Sequence, residues 1–145
     1  MSKEMREQIN KVKNWGQFLN ENKTITSKEE LLGEKFYHGT ILETWKNLEY
    51  ENYLFIVDDF EFAKMSAVDR ADSMVREYNK SFTAIVVEIL ITNEIIKLNW
   101  IEDDDEGAYR EFKHWSDSYN KIGSFVIRGK YDINDFKIIY KETFK

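Results

Sequence analysis

The sequence predicts a single domain of the mixed α+β class, and three observations support this prediction. The chain has 145 residues, of which 42% are apolar and 15% aromatic, enough to form a buried core. Short apolar runs of strand length alternate with longer segments in which apolar residues recur every three or four positions. We find no internal repeat, no low-complexity tract and no clear linker that would divide the chain.

The first predicted elements are helices. Between residues 4 and 20, apolar side chains at steps of three and four describe one face of an amphipathic helix. A second, shorter helix should begin at Ser27, where the letters SKEE form a capping box, and should end at Gly33. We therefore assign residues 1–33 to a helical extension that packs on the domain formed by residues 34–145.

Strands and helices then alternate along the remainder of the chain. The predicted elements are a strand at 36–38 closed by Gly39-Thr40, a helical connection within 41–52, a strand at 53–57, a helix capped by Asp58 or Asp59, a strand at 82–91, a short strand at 95–98, a helix at 107–119, and strands at 124–128 and 136–140. The helix after the second strand should bury its larger apolar side chains. These are Phe62, Met65, Val68, Met74, Val75 and Tyr78. Such a succession is typical of a mixed α+β domain.

Composition and charge exclude several classes of protein. The net charge of −6 argues against broad binding to duplex nucleic acid, which needs a basic face. No apolar run reaches the ~18 residues of a membrane span, and the N-terminus lacks the apolar core of a signal peptide. Cysteine is absent, so disulfides and zinc–thiolate sites are excluded. We therefore expect a protein of the host or bacterial cytoplasm with no membrane partner.

Common catalytic and metal-binding motifs are missing. The chain contains no GxGxxG, no phosphate-binding P-loop and no GxSxG. The two histidines, His38 and His114, occur in unrelated contexts, which gives little support to a paired-histidine metal site. The acidic tract at residues 102–106 is interpreted as a solvated loop, because five adjacent acids repel each other. A cation site is the less favoured alternative, since the spacing does not match a calcium loop. We therefore predict no metal site.

The most informative stretch is KFYHGT, which places His38 between an aromatic residue and a glycine at the end of a predicted strand. About fifteen residues later, YLFIVDDFEFAKMSA reads as a strand, an acidic cap and a helix with Ala63 near its start. Together these segments resemble the ADP-ribosyltransferase fold, the group of diphtheria-toxin-like and poly-ADP-ribose-polymerase-like enzymes. The resemblance covers roughly residues 35–140 and is strongest at 36–40 and 53–67. It implies a split antiparallel β-sheet core flanked by helices.

The resemblance also implies that NAD+ is the substrate, and it suggests roles for individual residues. His38 would hydrogen-bond a ribose hydroxyl, Gly39 would let the backbone approach the nicotinamide amide, and Thr40 would support the turn. An aromatic side chain would stack on the nicotinamide ring, and Tyr53 is the candidate although Leu54 occupies the aligned position. The other residues expected to contact NAD+ are Leu54, Phe55, Met65 and Ser124.

A carboxylate near the ribose completes the site in this family, because it stabilises the oxocarbenium-like charge that develops as nicotinamide leaves. A last strand of the type E-Y-x-V supplies that carboxylate, and the equivalent SFVI of this chain has Ser124 at the acidic position. Glu111 or Glu106, in the preceding segment, could supply the acid instead. We take Glu111, with His38 and Tyr53, as the candidate catalytic residues.

Two functions follow from the resemblance. The first is an ADP-ribosyltransferase that uses NAD+ to modify a macromolecule, with a protein target favoured over nucleic acid. The second is a catalytically degenerate member of the fold that binds a nucleotide or a protein partner, for example as an inhibitor. An RNA 2′-phosphotransferase activity is disfavoured because the acidic balance does not suit RNA. The proline-free, lysine- and asparagine-rich composition would suit a bacteriophage or bacterial effector.

Overall fold

A six-stranded antiparallel sheet forms the centre of the fold. A computed structural model of the protein describes residues 24–46, 53–103 and 112–145. Within these ranges the strands are β1 (Lys35–Ile41), β2 (Tyr53–Val57), β3 (Phe82–Leu90), β4 (Asn99–Ile101), β5 (Ser124–Arg128) and β6 (Lys137–Phe144). Their order across the sheet is β4-β5-β2-β1-β3-β6, and every neighbouring pair is antiparallel. The predicted α+β class is confirmed.

Helices connect these strands. Within the same ranges they are α1 (Leu42–Trp45), α2 (Phe60–Tyr78), α3 (Asn93–Ile96) and α4 (Trp115–Ile122), together with 3-10 helices at Lys28–Leu31 and Ile133–Asp135. The predicted cap before the first 3-10 helix is confirmed, because the Glu30 carboxylate accepts from the N–H groups of Thr26 and Ser27 at 2.9 Å each. The amphipathic helix predicted at residues 4–20 lies outside the described residues. No helix in the described ranges is both long and apolar enough to cross a membrane.

Strand β1 is longer than the sequence predicts. Gly39 and Thr40 continue the strand rather than closing it, because β3 pairs with them opposite Val86 and Ile85. The turn predicted at Gly39-Thr40 is therefore wrong. Thr40 is a buried strand residue with 4% of its surface exposed.

The region between β3 and β5 also differs from the prediction. The strand predicted at residues 95–98 is wrong, because the Thr92 hydroxyl accepts the N–H of Ile95 at 3.3 Å and so starts helix α3. Strand β4 follows only at Asn99. The helix predicted at 107–119 is found shifted along the chain as α4, since residues 112–114 precede it and residues 104–111 lie outside the described part.

Helix α2 lies on β1 and β3, and alanines form its buried face. Ala63, Ala67 and Ala71 recur every four residues and are buried. The prediction that its larger side chains are buried is wrong for three of them, which are more than half exposed. These are Phe62, Met65 and Tyr78. The reason is distance, because a helix that approaches a strand closely leaves room for a Cβ atom and little more.

The main core lies on the face of the sheet opposite α2. Trp100 of β4 stacks on Phe125 of β5 with ring centroids 4.5 Å apart, and Trp115 of α4 packs edge-on against Trp100 at 4.8 Å. The buried Trp100 Nε1–H donates to the Ile95 carbonyl at 3.0 Å, so this buried donor is satisfied by a hydrogen bond. This aromatic cluster holds β4, β5 and α4 as one unit beside β2.

Candidate functional site

Strands β1 and β2 are neighbours in the sheet, but they separate after a single pair of residues. Tyr37 of β1 pairs with Val57 of β2, and no other register pair joins these two strands within the described chain. Strand β1 pairs with β3 along its whole length, and β2 does the same with β5. A continued ladder would bring Gly39 opposite Phe55. The sheet is therefore split between β1 and β2 at this point.

The side chain of His38 bridges the split. Its Nδ1 atom lies 2.6 Å from the backbone carbonyl oxygen of Phe55, on the opposite strand. Because a carbonyl oxygen only accepts, Nδ1 carries the proton and donates. The ring also packs beside Trp45, with ring centroids 5.8 Å apart. In a continued ladder the Phe55 carbonyl would accept a hydrogen bond from the backbone of β1. Here it accepts one from the imidazole instead.

His38 is uncharged at neutral pH. Burial lowers its pKa from 6.5 to about 4, the bond to the Phe55 carbonyl opposes this shift, and the positive charge of Arg70 adds to it. With the proton held on Nδ1, the second nitrogen, Nε2, has a free lone pair. The residue as a whole is half-buried. Its Nε2 can therefore accept a hydrogen bond from a hydroxyl group.

The backbone of Gly39 faces the split. The Ile91 N–H donates to the Glu34 carbonyl at 2.9 Å, so even-numbered positions of β1 direct their backbone groups to β3. Odd-numbered positions, which include Tyr37 and Gly39, direct theirs to β2. Because β2 has separated by this point, the N–H and C=O of Gly39 point into the split, where no described residue of β2 pairs with them.

Helix α2 explains why position 39 is glycine. A Cβ atom built on Gly39 would lie 1.9 Å from the carbonyl oxygen of Ala63 and 2.7 Å from its carbonyl carbon. The missing side chain therefore makes room for α2. A ligand can reach this residue only along the edge of the strand, where its N–H and C=O are directed.

The side chains of β2 alternate between the surface and the core. Tyr53 and Phe55 point to one face and are 55% and 54% exposed, whereas Leu54 points to the other face and is 1% exposed within the main core. Of the residues suggested for stacking on a nicotinamide ring, Tyr53 and Phe55 are thus accessible and the Leu54 side chain is not. The guanidinium of Arg128 lies 5.4 Å from the centre of the Tyr53 ring.

Helix α2 and the exposed aromatic residues lie on the same face of the sheet. Because Tyr37 pairs with Val57, alternate residues of β2 such as Phe55 lie on the same face of the sheet as Tyr37. On that face Tyr37 contacts Phe60 of α2. Met65, on α2, is 63% exposed. The exposed aromatic residues of β2 and helix α2 therefore share one face of the sheet, whereas His38, which lies between Tyr37 and Gly39, points to the opposite face.

Ser124 begins β5 opposite Val57, and it holds a carboxylate that the sequence does not suggest. Its Oγ–H donates to Oδ2 of Asp103 at 2.7 Å. The Asp103 N–H in turn donates to Oγ of the buried Ser118 at 3.1 Å. Asp103 appears in the sequence only as part of a solvated acidic tract, because its contact with Ser124 depends on how β4 pairs with β5. Glu106 and Glu111 lie outside the described residues.

Metal ligation finds no support in the described part of the chain. Within it, no group of three or more histidine, aspartate or glutamate side chains is arranged around a common point. The acidic tract beyond Asp103 lies outside the described residues.

In comparison with known proteins, the chain matches no model of a protein family, no curated protein and no solved structure. Its function must therefore be inferred from the split between β1 and β2 and from the residues around it.

Proposed function

We propose that this chain is an ADP-ribosyltransferase-like protein that binds NAD+ at the split between β1 and β2 and transfers ADP-ribose to a macromolecular target. The observation that carries the proposal is the bond from His38 to the Phe55 carbonyl, made where the two strands separate. The arrangement of the strands adds support. The YHGT segment, the strand-acid-helix segment and the SFVI segment are β1, β2–α2 and β5, and these three strands lie side by side.

Each role in this proposal matches the chemistry of a group at the split. The carboxamide of nicotinamide offers a donor and an acceptor, which the C=O and N–H of Gly39 can bind. The neutral His38 offers Nε2 to a ribose hydroxyl. Phe55 and Tyr53 offer exposed aromatic faces, and an aromatic face attracts the cationic pyridinium ring.

The proposed reaction breaks the glycosidic bond between ribose C1′ and the nicotinamide nitrogen. The bonding electron pair leaves with nicotinamide, which departs neutral, while positive charge develops on C1′ and on the ring oxygen of ribose. A nucleophile of the target, or water, then adds to C1′ and releases its proton to solvent. The protein aids this step by holding the ribose through His38 and by placing negative charge near the developing cation.

A binding module that does not turn over NAD+ is the second candidate function. The observation that favours it is Ser124, which stands where the family resemblance expects a glutamate. For either function, the net charge of −6 favours a protein partner over nucleic acid. A cytoplasmic site of action and a role as a phage or bacterial effector belong to the same proposal.

Transfer of label from NAD+ tests this function. Purified protein is incubated with cell lysate and NAD+ that is labelled in its adenylate phosphate, and label on macromolecules is measured. The H38A variant should lose about 100-fold in rate, because the ribose contact and the closure of the split both disappear. The matched control is H114A, since His114 is the only other histidine and caps α4. This control should retain labelling.

Binding of NAD+ is measured in parallel by thermal unfolding. At a hundred times its dissociation constant, NAD+ should stabilise the folded protein by about 2.7 kcal/mol. Stabilisation without any labelled macromolecule or released nicotinamide would favour the binding module. If NAD+ neither stabilises the wild-type protein nor labels any macromolecule, the transferase is rejected, and so is a module that binds NAD+.

A further inference from the structure

The face of the sheet that carries α2 is only partly covered in the described part of the chain. Helix α2 lies on β1 and β3, and no described helix covers β5 or β4 on that face. Register pairs place two rows of three side chains there, on the neighbouring strands β2, β5 and β4. The first row is Tyr53, Arg128 and Asn99, and the second is Phe55, Val126 and Ile101. We call these six residues the open face.

The open face has the composition of a docking surface. The row through Phe55 is apolar in all three members, and polar residues border it on both sides, so an apolar centre lies within a polar rim. Tyr53 and Phe55 are 55% and 54% exposed although both are aromatic. The row crosses three strands, about 10 Å, which is close to the diameter of one helix. A single amphipathic helix is therefore an occupant of suitable size.

Residues 4–20 have the sequence of such a helix. Their apolar side chains recur at steps of three and four, and they are Met5, Ile9, Val12, Trp15, Phe18 and Leu19. Residues 1–23 carry five basic and three acidic side chains, which gives a net charge of +2. Because the whole chain has a net charge of −6, residues 24–145 carry −8. The segment and the domain therefore attract each other.

The described chain begins near the end of β2, close to the open face. Two hydrogen bonds join the backbone of Ile25 to the side chain of Asn120 on α4, at 3.1 and 2.8 Å. Asn120 lies three residues before Gly123, whose carbonyl accepts the N–H of Asp58 at 3.0 Å, directly after β2. When extended, residues 21–24 span up to about 13 Å, enough to pass this end of the sheet and reach the open face.

We infer that residues 4–20 dock on the open face as an amphipathic helix, with the apolar stripe on Tyr53 and Phe55. The docking itself does not depend on the proposed function. Where both hold, the helix covers the two aromatic residues that are proposed to stack on the nicotinamide ring. NAD+ must then displace the helix before it can bind there.

A double-mutant cycle in the full-length protein tests this contact by thermal unfolding. F55T removes the ring and keeps a residue that favours strands, and V12D places a charge in the apolar stripe. Each change should lower Tm by about 5 °C, because each removes the same apolar contact. The double variant should therefore lose no more than the larger of the two single losses.

The matched control for this cycle is I138T. Ile138 lies on the edge strand β6, is 40% exposed, and points to the opposite face of the sheet from Phe55. The loss of Tm in I138T should add in full to the loss in V12D, because the two side chains share no contact.

A spin label locates the segment without any assumption about how the helix is aligned. The chain has no cysteine, so Q8C provides a single site for a nitroxide beside the apolar stripe. The label should broaden the amide NMR signals of β2 and β5 more strongly than those of β6, and the same label at K141C, on β6, should reverse this order. When spin-labelled chains are mixed with isotope-labelled chains that carry no spin label, no broadening is expected, because each helix docks on its own domain.

Several results would overturn the inference. It fails if V12D or F55T keeps the wild-type Tm, or if their losses add. It also fails if the label at Q8C broadens β6 more than β2. Broadening in the mixed sample would show that a second copy of the chain occupies the open face instead. Should F55T not fold, Y53T takes its place in the cycle. Neither measurement involves NAD+, so these outcomes leave the proposed function to its own test.

Discussion

Replacement of Gly39 by alanine perturbs the contact that holds α2 against the split sheet. The new Cβ atom would lie 1.9 Å from the Ala63 carbonyl oxygen, whereas ordinary van der Waals contact begins at 3.4 Å. Helix α2 must therefore withdraw by about 1.5 Å, which also loosens the packing of its buried alanines on β1 and β3. Overpacking of this kind costs about 1–3 kcal/mol, and a contact with rigid backbone belongs at the upper end. We expect G39A to lower the free energy of unfolding by about 3 kcal/mol.

Urea denaturation followed by tryptophan fluorescence measures this loss, with the slope of the transition checked for a change in the unfolded state. The matched control is G33A. Gly33 has a φ of +83°, and a Cβ atom there meets nothing within 4 Å, so only backbone strain of about 1 kcal/mol is expected. If G39A is as stable as G33A or more stable, α2 does not pack on Gly39 in the way described.

Two further predictions concern stability. The pKa of His38 is lowered to about 4 in the folded protein, so the unfolded chain binds a proton more readily. The contribution of neutral His38 to stability is therefore complete above about pH 6.5 and is lost as pH falls towards 4. The free energy of unfolding should fall by at most about 3 kcal/mol, and by less because His38 is partly exposed. The H38N variant keeps an N–H donor for the Phe55 carbonyl and should remove this pH dependence in urea unfolding. An unchanged pH dependence would show that it does not come from His38. S118A should lower the free energy of unfolding by about 2 kcal/mol, because the buried hydroxyl that accepts the Asp103 N–H is lost. The exposed S66A is its control, and equal stability of the two variants would count against the network.

Local physical chemistry explains which elements can be predicted from the sequence. The run Phe82–Leu90 is rich in β-branched residues and forms strand β3, as predicted. Asp59 precedes a helical pattern and caps α2, as predicted. Both depend on residues within a few positions of each other. The helix α3 depends on equally local chemistry, the Thr92 cap, but its apolar letters also fit a short strand and so the prediction there is wrong.

Burial on α2 shows where such patterns are insufficient. The hydrophobic letters favour Phe62 and Met65 for the buried face, whereas the structure buries Ala63 and Ala67. The sequence pattern reflects only how apolar each side chain is. Burial in the folded protein also depends on how closely the helix approaches β1. The close approach of Ala63 to Gly39 selects small residues on both sides of the contact.

The sequence by itself determined the α+β class and most strand positions. Only the tertiary structure decided that β1 and β2 separate after Tyr37, that the His38 ring bridges the gap to Phe55, and that Asp103 meets Ser124. The physical reason is that helix caps and strand propensities act between near neighbours in the chain. Strand register and the orientation of backbone groups, in contrast, are set by hydrogen bonds between distant segments, which no local pattern encodes.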